Sequence, residues 1–382
     1  MIRGRGETLP FYVNRRIYYM TKVLVGMSGG VDSSVSVYLL QQQGYEVSGA
    51  TLKLFDNEDI GILDKEKTCC SLSDVQDARN VAMKLGCRHY VFNYSQWFME
   101  DVVKRFARSY EEGQTPNPCI DCNRYIKFSR MLERAKFLGF DYIATGHYAQ
   151  VDRDPSTGRY LLRKGADSSK DQSYVLYTLT QEELSRTLFP LGKMTKQEIR
   201  TIAEGEGFVN AQKRDSQDIC FVQDGDYAGF LERVMGVSSP TGDFVDRAGR
   251  KIGRHRGLIH YTVGQRKGLG QTFGKPMYVL DKKKAENTVT LGSHEELFSA
   301  GMVVSEVNWI AIEALKEPME VTVKARYSMK EVAAVIYPLE NGQVRVAFDE
   351  KQRAITPGQA AVFYQGDLVI GGGTIIGPVS EQ

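Results

Sequence analysis

Two groups of residues in this chain have the types and spacing to do chemistry. The first is Gly26-Met27-Ser28-Gly29-Gly30-Val31-Asp32-Ser33, which follows a short apolar run beginning at Lys22. Glycines let backbone N–H groups approach a ligand, and a helix opening here adds its dipole, so the run predicts an anion site. No lysine lies between Ser28 and Ser34, and the G-x-G-x-x-G spacing is missing, which excludes a Walker loop and a dinucleotide fingerprint. The second group is sulfur. Thr115-Pro-Asn-Pro-Cys-Ile-Asp-Cys122 puts Cys119 and Cys122 on a proline-stiffened loop opening a helix, with Arg124 and Lys127 beside them. That setting predicts a lowered thiol pKa and a reactive thiolate. A third cysteine, Cys220, ends the run Asp215-Ser-Gln-Asp-Ile-Cys220. Zinc would want a fourth ligand, and the five histidines show no paired spacing. Cys87 reads as packing, and Cys69-Cys70 as structural or incidental.

The elements that must hold these residues follow from periodicity. Lys22–Met27, Glu46–Leu54, Arg88–Asn93 and Asp141–Ala144 read as strands. Between them lie predicted helices over Ser73–Leu85, Gln96–Glu111 and Asn123–Leu138, with Ser73 as an N-cap and Phe98, Val102, Phe106 and Tyr110 stacked at spacing four. Alternation of this kind predicts a doubly wound α/β parallel sheet whose site lies at the strands' carboxyl ends. Beyond His147 a strand at Tyr160–Arg163 and a helix at Thr195–Gly207 are expected. Thr241–Thr272, rich in glycine and basic residues, predicts a small central domain with little regular structure. Short alternating runs from Gly301 onward, separated by Asn341-Gly342 and Pro357-Gly358, predict a C-terminal β-barrel. The expected division is a basic extension over 1–20, disordered or upstream of a natural start at Met20, then domains over 21–222, 223–298 and 299–382.

The chain has 382 residues, 42% hydrophobic and 25% charged, which is the balance of an ordinary soluble protein. No apolar run is long enough to span a membrane. A net charge of +2 limits any nucleic-acid surface to local patches such as Arg250-Lys251, Arg254-His255-Arg256, Arg266-Lys267 and Lys282-Lys283-Lys284. Cysteines without a secretory signal predict a reducing, cytoplasmic compartment.

Ser28–Ser33 resembles the pyrophosphate loop of PP-loop ATPases, which cleave ATP between its α- and β-phosphates. Seven further motifs stand in register with it: Thr115–Asn123, Thr145-Gly-His-Tyr148, Lys170-Asp-Gln-Ser173, Asp215–Phe221, Thr262–Gly268, Ala325-Arg-Tyr327 and Pro357-Gly-Gln-Ala360. Together they look like a tRNA-specific 2-thiouridylase, from about Thr21 to the C-terminus. The resemblance implies ATP-dependent 2-thiolation of the wobble uridine in the tRNAs for Lys, Glu and Gln. It implies ATP binding by Gly26, Met27, Ser28, Gly29, Gly30, Val31, Asp32, Ser33, Leu52 and Gly146, with magnesium carried by the nucleotide near Asp32. It implies a persulfide on Cys220 and a nucleophilic Cys122; the terminal sulfur then attacks C2 itself, or is released as sulfide by Cys122, which closes a Cys122–Cys220 disulfide. Positions matching tRNA contacts are Asn117, Pro118, Cys119, His147, Lys170, Asp171, Gln172, Arg326, Tyr327 and Gln359. The sulfur is expected from a donor protein such as a cysteine desulfurase or a relay protein, with no membrane partner.

One branch of the family carries aspartate where this chain has Cys119, which leaves a second assignment open. Cys119, Cys122 and Cys220 together could hold an Fe–S cluster with one iron free for sulfide. The persulfide reading is preferred. Another AMP-forming PP-loop ligase or amidotransferase would account for the loop but for neither Cys122 nor Cys220. A non-catalytic RNA-binding or redox module would leave the loop idle.

Overall fold

The fold is taken from a computed structural model, which describes residues 20–56, 72–213, 219–222 and 225–379. Residues 1–19 of the basic extension, Cys69-Cys70 and Asp215–Asp218 of the Cys220 motif lie outside the described residues.

Five parallel strands form the first sheet, in the order Arg88–Asn93, Glu46–Lys53, Lys22–Gly26, Tyr142–Ala144, Thr187–Leu188. Val23 pairs with both Val47 and Tyr142 at its centre. The predicted doubly wound α/β architecture is therefore present. The strand order reverses between Lys22–Gly26 and Tyr142–Ala144, so a crevice opens where the loops after these two strands part. The helices on either face bury the stripes that define them. Ala78, Val81 and Ala82 of helix Leu72–Lys84 are fully buried, as are Phe98, Val102, Phe106 and Tyr110 of the segment Ser95–Glu111. Ser73 falls inside the first of these helices, because Leu72 already belongs to it.

Two regions depart from expectation. The central part is more regular than its glycines suggest: Gly242–Val245, Lys251–His255, Tyr278–Lys283 and Thr288–Gly292 form a four-stranded sheet around Phe244, Val279 and Val289. Many of its charges are also spoken for. Arg250 pairs with Asp246, Lys251 with Asp243, Lys283 with Glu286 and Lys284 with Glu112. Lys282 is buried, its amine has no hydrogen-bond partner, and it lies 5.8 Å from the centre of the Tyr110 ring. Burial pushes its pKa down to about 8.

The C-terminal strands close into the expected barrel. The order is Phe298–Trp309, Val344–Arg353, Val332–Pro338, Met319–Lys324, Ala360–Gln365, Leu368–Pro378, and the last strand pairs back with the first. The second departure is the strand at Tyr160–Lys164. It forms a hairpin with Ala149–Arg153 and joins the barrel sheet rather than the parallel one, with Arg163 opposite Leu368. Arg163 bridges Asp152 and Asp367 at 2.9 Å each, and the Lys164 N–H donates to the Asp367 carbonyl. No helix among the described residues is long and apolar enough to cross a membrane.

Candidate active site

The loop Ser28–Ser33 follows the central strand and is braced from four directions. Gly29 has a φ of +75° and a Cβ there would lie 2.4 Å from the Asp74 carbonyl, so only glycine fits. Gly30 is the N-cap of helix Val31–Gln42 and supplies no side chain to its first turn, which leaves N–H groups there for an anion. The Ser33 hydroxyl donates to the Gly30 carbonyl and accepts from the Ser28 N–H. Asn210 donates to the Gly29 carbonyl and to the Ser34 hydroxyl, both at 2.9 Å.

Asp32 is held on both oxygens. The Lys196 ammonium donates to each at 2.8 Å, and the Tyr148 phenol donates to Oδ1 at 2.7 Å. Lys196 is nearly buried and starts a helix capped by Thr195 in a capping box. The loop thus has a lysine after all, delivered from another element. Lys213, paired with Asp74 and Asp77, brings a second one to the Gly29 carbonyl. With Lys196 on both oxygens and Tyr148 on one, the Asp32 carboxylate does not fit as a protein ligand for magnesium, and any such ion would ride on the nucleotide's phosphates. Gly146, after the neighbouring strand, packs so closely that a Cβ would lie 2.9 Å from the Asp32 backbone. Leu52 stands at the carboxyl end of the next strand.

The cysteine helix begins earlier than predicted. Asn117 caps it by accepting the Cys119 N–H at 3.1 Å, Pro118 occupies the first helical position, and the helix runs on through a wide-turned segment, Cys122–Arg130, to Phe137. Cys119 is exposed in the first turn, whereas Cys122 is buried. The expected acidic thiol at Cys122 is overturned: burial pushes it up to about 11, against a smaller lowering by Lys127. The helix dipole fades within one turn, and Cys122 lies beyond it. Cys122 is part of one apolar cluster with Phe98, Phe106 and Phe221, and Cys220 and Leu52 pack against that cluster. Phe221 is wedged against Phe98, Phe106 and Phe230 at 5.7, 5.4 and 5.3 Å, which anchors Cys220. Among the described residues no three Cys, His, Asp or Glu side chains are grouped to hold a metal ion, so the three cysteines do not fit a cluster as they stand.

The residues matched to tRNA contacts separate into two kinds. His147 is buried between Phe128 and Phe189, bonded to Thr145 Oγ1 at 2.7 Å, and burial keeps it neutral. Asp171 accepts from Gly165 and Ser173, and Gln172 from the Tyr148 N–H, so both organise loops. Cys119 and Tyr327 are open to solvent, and Lys170 is half-buried near them. Arg326, Tyr327 and Gln359 line a cavity of about 210 Å³ with Thr115, Thr262 and Thr356, where all three sequence regions meet. Gln359 fastens it by donating to the Thr115 carbonyl at 2.7 Å. Sequence reasoning missed Lys196, Lys213 and Asn210. Tyr148 stood inside a motif already singled out, but its contact with Asp32 was not foreseeable.

Family models described as a tRNA methyl transferase HUP domain, a tRNA methyl transferase PRC-barrel domain and an aminomethyltransferase beta-barrel domain match residues 21–224, 228–293 and 299–375. A protein of Acetivibrio thermocellus named tRNA-specific 2-thiouridylase MnmA is 52% identical over 354 residues, covering 93% of this chain and 99% of that one. Its namesake in Clostridioides difficile is 50% identical over 93% of this chain and 98% of its own. MnmA 1 of Thermoanaerobacter pseudethanolicus is 52% identical over 93% and 97%.

Proposed function

The chain belongs to the tRNA-specific 2-thiouridylases, which place sulfur on a tRNA uridine, and from that premise we propose how its residues divide the work. ATP lies along Ser28–Ser33 with its phosphates at the N-terminus of helix Val31–Gln42. The wobble uridine of the tRNAs for Lys, Glu and Gln leaves the anticodon stack and enters the crevice beside Cys119. Its O2 attacks the α-phosphate, pyrophosphate departs, and C2 now carries AMP as a leaving group. Lys196 and Lys213, paired with Asp32 and with Asp74 and Asp77, brace the loop that receives the phosphates, and the N–H groups opening helix Val31–Gln42 offset their charge.

Sulfur arrives from a donor protein as a persulfide on Cys220. The Cys122 sulfur attacks Cys220 Sγ, forming a Cys122–Cys220 disulfide and releasing hydrosulfide. Hydrosulfide adds to C2 and expels AMP, and an external thiol reductant reopens the disulfide. The observation that supports this reading is the shared cluster: Cys122 is part of it, and Cys220, far away in sequence, packs against it together with Leu52 at the carboxyl end of its strand. Thiolated tRNA retarded on a mercury-containing gel, with AMP counted alongside, tests it. Normal product from Cys220→Ser sinks the sulfur-carrier assignment.

A further inference from the structure

We infer that Lys127 is the positioning residue that makes the Cys122 sulfur usable, by facing it from one turn further along the same helix. Cys122 opens the segment Cys122–Arg130, whose backbone bonds run i→i+5. In such a segment residues five apart share a face, as residues four apart do in an ordinary helix, so Cys122 and Lys127 lie on one face of it. Flanking side chains fix that face: Asn123 donates to the Val175 carbonyl at 3.0 Å, and Ile126 and Phe128 are fully buried. Lys127 itself is partly buried and, among the described residues, has no carboxylate partner. Its charge reaches Cys122 and also His147, the buried imidazole beside Phe128.

Among the described residues, the other groups that bear on Cys122 do not help it ionise. Cys119 and Asp121, on its own helix, oppose a thiolate. Arg105, from the helix packed alongside, is engaged with Asp121, and Glu306 of the barrel also bears on that carboxylate. His147 is neutral. Among the described residues, Lys127 is left as the cation that favours the sulfur anion.

The inference rests on the reaction proposed above and assigns one of its needs. For sulfide release the Cys122 thiol gives its proton to solvent, and its electron pair forms the S–S bond to Cys220. The persulfide S–S bond breaks, and its electron pair leaves as hydrosulfide. Lys127 neutralises the charge that Cys122 carries as this begins.

The test is site-resolved alkylation of the full-length protein by iodoacetamide across a pH series, read by peptide mass spectrometry. Exposed Cys119 serves as the internal reference. Lys127→Met is expected to shift the Cys122 profile up by about one unit and slow its labelling at pH 8 about tenfold. Lys127→Arg should restore the wild-type profile, which a merely structural role would not do. Where the methionine variant fails to fold, Lys127→Gln reads the same quantity. A Cys122 profile unchanged in either neutral variant overturns the role of Lys127 and leaves the thiolation reading standing. Thiolated product from Cys122→Ser, in contrast, defeats that reading whatever the alkylation shows.

Discussion

Cys122, the nucleophile of the proposed reaction, is held in the thiol form by burial up to about pH 11, and that sets how it should respond to pH. Below this value the thiolate fraction rises about tenfold for each unit of pH. Single-turnover sulfide release from persulfidated protein is therefore expected to climb steeply between pH 7 and 9, and a flat profile would place the limiting step elsewhere. Cys122→Ser and Cys220→Ser should each abolish 2-thiouridine, while Cys87→Ser, a packing change, should leave it near normal. Asp32→Asn should stop AMP formation with tRNA affinity retained, and cost about 1–3 kcal/mol because Lys196 loses its charge partner. Equal losses of tRNA binding and turnover would contradict that assignment. What was legible here was local. The loop glycines and Asp32 announce themselves within eight residues, whereas Lys196 reaches Asp32 across 164 residues and no spacing rule connects them.

The helix that carries the thiols shows what an element adds to its residues. Proline and asparagine before Cys119 were read as a loop, yet Asn117 caps and Pro118 initiates the helix, so its first turn was hidden by residues that also make turns. The wide-turned stretch after Cys122 left no mark in the sequence, because side chains of ordinary helical propensity fill it. Asn117→Ala should lower stability by about 0.5–2 kcal/mol, and Asn117→Asp should retain most of it, as read by thermal unfolding. The central strands were missed for a different reason. Their exposed faces carry Lys251, Arg254 and Lys283, so the alternation rests on few apolar positions, and paired acids from a neighbouring strand and turn neutralise much of the charge that suggested an irregular basic segment.

For the whole molecule, buried and surface charge bear on stability and on RNA contact. Lys282 takes up its proton only below about pH 8 when buried, but near the ordinary lysine value when exposed. Between those values the unfolded chain binds more protons, so stability should rise with pH from about 8 to 10. Lys282→Met should flatten that rise in pH-dependent melting curves, and an unaltered slope would acquit Lys282. Since Arg250, Lys251, Lys283 and Lys284 are paired, the charge available to tRNA narrows to residues such as Arg254 and Arg256. Neutralising both should weaken the substrate tRNAs alike and reduce the salt slope by about 1–2. The barrel was readable from its alternating strands, but the hairpin that enters its sheet was not, because a partner strand does not show in the pattern of the strand it joins. That hairpin also sets a timetable. Arg163 and Asp367 are 204 residues apart, so a chain growing from the ribosome exposes an open sheet edge at Tyr160–Lys164 until nearly the last strand is made. The catalytic half is therefore complete in sequence long before it is complete in structure, and a chain cut short of Leu368 is left with a sticky edge prone to pairing with its neighbours.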